Sequence, residues 1–453
     1  MALSRRRFFQ GAGALTLLAG RLAAPALAQS APAGDIPPIL FVHGNGDHAA
    51  LWMTTLWRME SNGVPRERMA AINFTDPLAR ADDKVEQAGR SSTEDQRRAL
   101  AEAVRELKQS SGAARIALVG NSRGGNAIRN TIKNGSGGDI SHAVLCGTPN
   151  HGVYASDDGL GNEFNGRGPF LRGLNDGDSE VTVGTAFLTL RSDGLDKYAQ
   201  ADGRFIGKPG TPTNVTTEGP ALKGATNLVL GAVDHRETAY HPRAFREIYK
   251  FIAGHEPSRI EIVPETAVRL SGLVTSMPGG VPTNRPMPGA VVDIYHVSAE
   301  TGERLGGPLH SSQTGADGRW GPAQVNPSWP LEFVLTSPGA VTTHIYRSPF
   351  PRSSEIVHLR AARPMLPADA GAGAIVLMSR PRGYFGLPRD IVLFDGKEPS
   401  DVKSGVPTDA VTTLRLAAAE VGRPVAAIFN GERIVMRAWP ASENRIAVAE
   451  LTY

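Results

Sequence analysis

Ser122 lies between Gly120 and Gly124 in the run Gly120-Asn121-Ser122-Arg123-Gly124-Gly125. The apolar Ile116-Ala117-Leu118-Val119 precedes it and the helix-like Ala127-Ile128-Arg129-Asn130 follows. A serine at such a strand-to-helix hinge has the layout of a nucleophile elbow. The turn is tight, close flanking residues must lack a Cβ, and the hydroxyl stands clear of the sheet edge. The N–H of Arg123 then sits at a helix start, where partial positive charge stabilises an oxyanion forming beside the serine. This points to attack of a hydroxyl on a carbonyl carbon. The same spacing also occurs in glycine-rich turns with an incidental serine, so the other reacting groups must be found elsewhere in the chain.

Two segments offer them. Ile39-Leu40-Phe41-Val42 reads as a buried strand running into His43-Gly44-Asn45-Gly46-Asp47, a turn-rich loop. The N–H of Asn45 would be the second oxyanion donor, with Gly44 and Gly46 permitting close approach and His43 structural. Downstream, Asn227 to Val233 reads as the last buried strand, ends at Asp234-His235, and gives way to a helix from Pro242 to Ile252. His235 at that junction is the candidate general base. His241, directly before Pro242, is its competitor and fits the helix start better; His48, His142 and His151 read as loop or strand-edge residues. Apolar strands near 37–43, 68–74, 115–121, 141–147, 186–191 and 226–233 alternate mostly with helices. The fold class is therefore α/β, a mainly parallel sheet with helices on both faces. The clearest helix, near 94–109, places Leu100, Val104 and Leu107 on one face, with Thr93 and Gln96 as a possible capping box.

With the oxyanion loop, the serine elbow, the strand end Gly147-Thr148-Pro149-Asn150-His151-Gly152 and the late histidine, residues before about 256 resemble the α/β-hydrolases, and within them bacterial lipases and esterases. The resemblance implies the order serine, acid, histidine, and so an acid between Phe187-Leu188-Thr189-Leu190 and His235. Asp196 is preferred, because Asp-Lys-Tyr-Ala-Gln is similar to the continuation after the acid in some lipases. Asp193, in Asp-Gly-Leu, matches the form in others, and Asp202 is a third choice. Ser122 would attack an ester carbonyl, His235 would relay its proton, Asp196 would orient the imidazole, and the Asn45 and Arg123 amides would hold the oxyanion. No step calls for a metal or cofactor. Asp157, Asp158, Asn162 and Glu163 form a polar cluster that either binds calcium or is a solvated loop. The insertion from His151 to about Val183, with Val153, Tyr154, Phe164, Phe170, Leu171 and Leu174, is either an apolar lid over the acyl site or a packed Ω-loop. Leu51, Trp52 and Phe170 are the candidate substrate-binding residues; the first two fit a helix core equally well.

Ser4-Arg5-Arg6-Arg7-Phe8-Phe9, a modestly apolar stretch and Ala26-Leu27-Ala28 are similar to a twin-arginine export signal over residues 1–28. Export to the periplasm or outside is therefore expected. The formal charge is +3, and removing Arg5, Arg6, Arg7 and Arg21 leaves about −1, so no polyanion-binding bias remains and nucleic acid is not an expected partner. The single Cys146 excludes an intrachain disulfide and reads as inert core. No further stretch is apolar for long enough to anchor the chain across a bilayer.

The catalytic domain is expected over 29–256. Beyond His255-Glu256-Pro257 helical periodicity gives way to short β-branched strands, Val268–Val274, Ala290–Val297 and Leu331–Leu335, separated by Pro and Gly clusters. This reads as a β-sandwich over 257–365, whose segment from about 266 to 345 resembles prealbumin-like modules. A second strand-rich domain is expected over 366–453, with Asn430-Gly431 as a hairpin turn. The resemblance implies an exported carboxylic-ester hydrolase, a lipase or esterase acting on acylglycerols or similar esters, whose partner is the substrate at an oil–water surface. Two other readings stand beside it: a polyester depolymerase gripping polymer with the β domains, and a non-catalytic surface- or carbohydrate-binding protein on a hydrolase scaffold.

Overall fold

The computed structural model describes residues 36–206 and 209–453, and the expected signal at 1–28 lies outside the described residues. The N-terminal half is built on a six-stranded sheet. Its elements in chain order are β1 (Ile39–Val42), α1 (Met53–Ser61), β2 (Met69–Ala71), the short pair β3 (Leu78–Ala79) and β4 (Arg90–Ser91), α2 (Thr93–Ser111), β5 (Ile116–Asn121), α3 (Arg123–Thr131) and β6 (Ile140–Cys146). There follow α4 (Pro169–Leu174), β7 (Ala186–Ser192), β8 (Thr226–Leu230), α5 (Glu237–Tyr240) and α6 (Pro242–Ala253). The strand order β2-β1-β5-β6-β7-β8 is parallel throughout.

Both faces of the central strands are covered, which is why they read as unbroken apolar runs; β8, expected as a buried strand over 227–233, instead ends at Leu230 and, as the edge strand, exposes Thr226, Asn227 and Val229. Alternate residues enter separate cores. Phe41, Val119, Val144 and Leu190 pack with Trp57 of α1 and Phe245 and Ile248 of α6, whereas Leu40, Leu118, Leu145 and Phe187 pack with Leu100 and Val104 of α2 and Ile128 of α3. The chain reverses its direction of travel across the sheet between β1 and β5, and the loops after β1, β5, β7 and β8 all leave the carboxyl edge, where open α/β sheets place their sites.

The capping box of α2 lies one residue earlier than expected. Ser92 is the N-cap, its hydroxyl accepting from Asp95 N at 3.1 Å while its own N–H donates to Asp95 Oδ2 at 2.9 Å. Thr93 is displaced from that role because both its N–H and its hydroxyl donate to Asp83 at 2.7 Å.

The C-terminal half is all strand. Its elements are β9 (Val268–Leu273), β10 (Val291–His296), β11 (His310–Gln313), β12 (Arg319–Val325), β13 (Leu331–Thr336), β14 (Thr342–Arg347), β15 (Ala374–Ser379), β16 (Val392–Phe394), β17 (Val411–Leu416), β18 (Pro424–Phe429), β19 (Glu432–Arg437) and β20 (Arg445–Glu450). One seven-stranded sheet, β11-β10-β13-β14-β20-β15-β17, runs across the boundary expected at 365, because β20 inserts in parallel between β14 and β15. The apolar clusters also cross it, since Val297 and Tyr346 pack in the core of residues 374–451 and Val341 packs with Ile375 and Ile446. The hairpin of β18 and β19 closes through Asn430 at φ 50°.

The two halves share a core. Trp57 meets Phe350 edge to face at 6.1 Å and donates to Ser353 O at 2.9 Å. Asn284 donates to Asp47 O and Phe74 O, each at 2.9 Å. His358 lies beside His48 at 5.2 Å, accepts from Leu273 N at 3.1 Å and hydrogen-bonds Asn73 at 2.9 Å. Burial, helped by His43 and neighbouring arginines, pushes the His358 imidazole down to about 3, and burial likewise holds His48 well below the ordinary range. A second proton would also set an N–H of His358 against the N–H of Leu273.

The unfolded chain takes up this proton below about pH 6.5, while the folded ring resists until about 3, so the stability of the neutral ring is full above 6.5 and is lost as pH falls through that window. For His358 the loss at pH 5 is about 2 kcal/mol. The melting midpoint should therefore fall between pH 7 and 4, and His358→Asn, which keeps an acceptor for Leu273 without the titration, should flatten the fall. An identical pH slope in the variant would contradict this.

Candidate functional site

Ser122 is forced into its position by what surrounds it. Its backbone has φ 53° and ψ −125°, a conformation costing an L-residue on the order of 1–3 kcal/mol. A Cβ on Gly120 would lie 2.9 Å from the backbone of Gly124, and one on Gly124 would lie 2.5 Å from His43 O. Ser122 N donates to Cys146 O at 2.9 Å, tying the turn to the neighbouring strand.

The loop after β1 runs alongside. A Cβ on Gly44 would stand 3.0 Å from Ser122 Cβ, so this backbone approaches the serine closely. The loop is fixed by Asn45, whose Oδ1 accepts from Ala79 N at 2.7 Å, and by Gly46 N donating to Pro77 O at 3.2 Å. Among the described residues the N–H groups of Asn45 and Arg123 have no hydrogen-bond partner. His43 is buried, with Nε2 accepting from Phe74 N and Nδ1 bonded to Gly44 O; it props the loop from behind. Burial lowers its pKa.

On the other side, His235 Nδ1 lies 2.8 Å from Asp196 Oδ2, and both side chains are buried. Asp196 Oδ1 accepts from Tyr198 N at 2.8 Å, so both carboxylate oxygens are held, and the Tyr198 ring packs against the imidazole at 4.5 Å. The carboxylate sets the tautomer with the proton on Nδ1, leaving Nε2 as an acceptor. Nε2 has no partner among the described residues, and it shares one cavity with Ser122. Asp193, the alternative acid, is exposed and accepts from Ala232 N. Asp202 is exposed and accepts from Arg204 N. His241 caps α6, accepting from Arg243 N at 3.2 Å, and burial pushes it down to about 4.

The cavity measures about 260 Å³, and its apolar wall is Val153, Tyr154, Phe164, Tyr198, Ile206 and Tyr384. Three sequence-predicted substrate residues are absent from it. Leu51 and Trp52 lie on a short 3-10 turn that directs them into the sheet core, where Trp52 packs at a tilt against Phe41 at 5.1 Å. Phe170 sits on α4 away from the cavity, and Phe164 of the same insertion occupies the wall instead.

The insertion is fastened to the elbow. Arg123 sends its guanidinium to both oxygens of Glu163 at 2.6 Å and to Ser91 and Pro77, all in the interior. Glu163 is therefore engaged, Asp157 pairs with Arg167 at the surface, and Asn162 bonds Ala81 O and Phe164 N. The polar cluster expected here is dispersed, and among the described residues no group of three or more His, Cys, Asp or Glu is arranged to hold a metal ion.

A second network was not legible in sequence. Asp234, adjacent to His235, pairs with Arg380 at 2.8 Å and accepts from Tyr384 N at 2.8 Å; Glu237 pairs with Arg380 and with Arg389 at 2.7 Å. Burial alone would raise the Asp234 carboxyl, but Arg380 and Arg389 outweigh it and hold it below the usual range. Cys146 is buried behind the elbow and burial pushes its thiol up. No helix among the described residues is long and apolar enough to cross a membrane.

Residues 38–176 match the family model for palmitoyl protein thioesterase, and residues 266–364 match that for the lipase C-terminal domain. No curated protein matches the chain. Among solved structures, the lipase BlEst2 of Bacillus licheniformis in mature form is 20% identical over 50% of this chain and 94% of its own, with a TM-score of 0.36. Its propeptide form is 14% identical over 91% of this chain and 94% of its own, with a TM-score of 0.37. Lipase B of Aspergillus fumigatus is 15% identical over 52% of this chain at a TM-score of 0.36, and this chain spans 57% of that protein. The chain is therefore similar to palmitoyl protein thioesterases over residues 38–176 and to lipase C-terminal domains over residues 266–364, on a parallel α/β sheet followed by a strand-rich region.

Proposed function

We propose that this protein is an exported serine hydrolase cleaving carboxylic esters of the acylglycerol type through an acyl-enzyme on Ser122. The observation that carries the reading is the buried Asp196–His235 pair opening onto the cavity of a strained elbow serine. Asp196 orients the ring and stabilises its cation. His235 Nε2 takes the Ser122 proton as Oγ attacks the ester carbonyl, then returns it to the leaving alcohol. The unpartnered amides of Asn45 and Arg123 receive the tetrahedral oxyanion, each donor being worth roughly 3 kcal/mol in the transition state. Water, deprotonated by the same histidine, releases the acid. The apolar cavity wall supports an acyl group as its occupant. Export rests on the twin-arginine-like start of the chain.

In hydrolysis of p-nitrophenyl butyrate by the mature protein, Ser122→Ala should remove activity by at least 1,000-fold. Asp196→Asn, which presents the wrong partner to His235 Nδ1, should lower kcat on the order of 10⁴-fold, while Asp193→Asn stays within about threefold. Equal losses for the two aspartates would refute the assignment of the acid. Labelling of wild type by a fluorophosphonate should map to the peptide bearing Ser122, and labelling elsewhere, or none, would refute the nucleophile.

A further inference from the structure

Tyr384 belongs to the C-terminal β region, yet it lines the same cavity as Ser122 and His235, about 150 residues away from the latter in sequence. Its backbone is fixed at both its N–H and its carbonyl. The backbone N–H donates to Asp234 Oδ2 at 2.8 Å, and the carbonyl accepts from Arg380 at 2.7 Å and Arg389 at 3.1 Å. Two cations face the ring, with Lys197 Nζ 3.8 Å and the Arg236 guanidinium 5.2 Å from its centroid. Lys197 directly follows Asp196 and Arg236 directly follows His235, so the ring bridges the loops that carry acid and base. Lys197 also donates to Thr408 O, and Arg236 to Pro381 O, so each loop is bonded to the C-terminal region by backbone contact as well. A cation over a desolvated aromatic face is a strong directional contact, and two of them, with three charge-assisted backbone bonds, leave the side chain little freedom to withdraw.

We propose that Tyr384 is a specificity-determining residue: the C-terminal β region closes the acyl cavity with this ring and so limits the enzyme to esters of short acyl groups. This rests on the ester-hydrolase reading above. A wall so braced does not retreat before a longer chain, so the cavity of about 260 Å³ keeps its shape on this side while the ring stays. The C-terminal region is then part of the substrate site, in contrast to a detachable module that grips an insoluble surface.

The test compares kcat/KM for p-nitrophenyl butyrate and dodecanoate in the full mature protein, Tyr384→Ala and Tyr384→Trp, with labelling of Ser122 by a small ethyl fluorophosphonate as a check on the nucleophile. The proposal expects wild type to favour butyrate, the dodecanoate-to-butyrate ratio to rise at least tenfold in Tyr384→Ala, and the ratio to fall in Tyr384→Trp. Opposite movements in the two variants would not arise from a structural role, which lowers both esters together. Unchanged ratios in protein that still labels at Ser122 would overturn the proposal alone. A wild-type protein that neither labels nor hydrolyses either ester would remove the ester-hydrolase reading and the proposal with it. Should Tyr384→Ala fail to fold, the tryptophan variant and the wild-type preference still decide, because a wild type that favours dodecanoate contradicts a closed cavity.

Discussion

Ser122 is held at φ 53° by a turn in which neither Gly120 nor Gly124 has space for a Cβ, and most of the candidate site is arranged around that constraint. The same crowding brings Gly44 against Ser122 and so sets the loop after β1 beside the serine. It starts α3 at Arg123, placing an unpartnered amide where negative charge would develop. Arg123 then points its side chain inward, and its pair with Glu163 draws the insertion over the cavity. Strain of this kind persists only where the surroundings over-determine it. Here they do so through the hydrogen bond to Cys146, the sheet cores on both faces and the fastened insertion.

His235 is secured from the other direction. His235 follows a strand end whose next neighbours are charged and buried, an arrangement that would be costly without partners. Arg380 and Arg389 supply them, so the loop carrying the imidazole is buttressed by residues from the far end of the chain. Asn284 does the same for the oxyanion loop through Asp47 O. The shared core around Trp57 and Phe350 makes the β region and the parallel-sheet half one packed body near the site. This accounts for a β region that touches the loops on both sides of the cavity.

The legible part of this protein was the part written in local patterns. The central parallel strands stand where the apolar runs predict them, because strands covered on both faces must be apolar throughout, whereas the edge strand β8 is shorter and mostly exposed. The strand-to-helix turn at Ser122 and the glycine-rich loop after β1 follow from short-range spacing, and the Asp196–His235 contact joins two residues selected from chain order. What failed depends on direction rather than type. Leu51 and Trp52 are apolar and near the loop, but the pitch of one 3-10 turn sends them into the core. Phe170 and Phe164 are equivalent by composition, and only the fold of the insertion distinguishes them. Thr93 lost the cap to Ser92 through a contact with Asp83 ten residues earlier. Tyr384, Arg380 and Arg389 carry no local signal, since their meaning comes from a docking across more than a hundred residues of sequence.

The central claim is that Ser122 forms a covalent acyl intermediate, and acid-quenched mixing of the mature protein with p-nitrophenyl acetate tests it most directly. Peptide mass spectrometry of samples taken within the first turnover should find one acetyl group on the peptide carrying Ser122, accumulating with the release of nitrophenol. Nitrophenol release with that peptide unmodified, or with the acetyl group on another residue, would contradict the account.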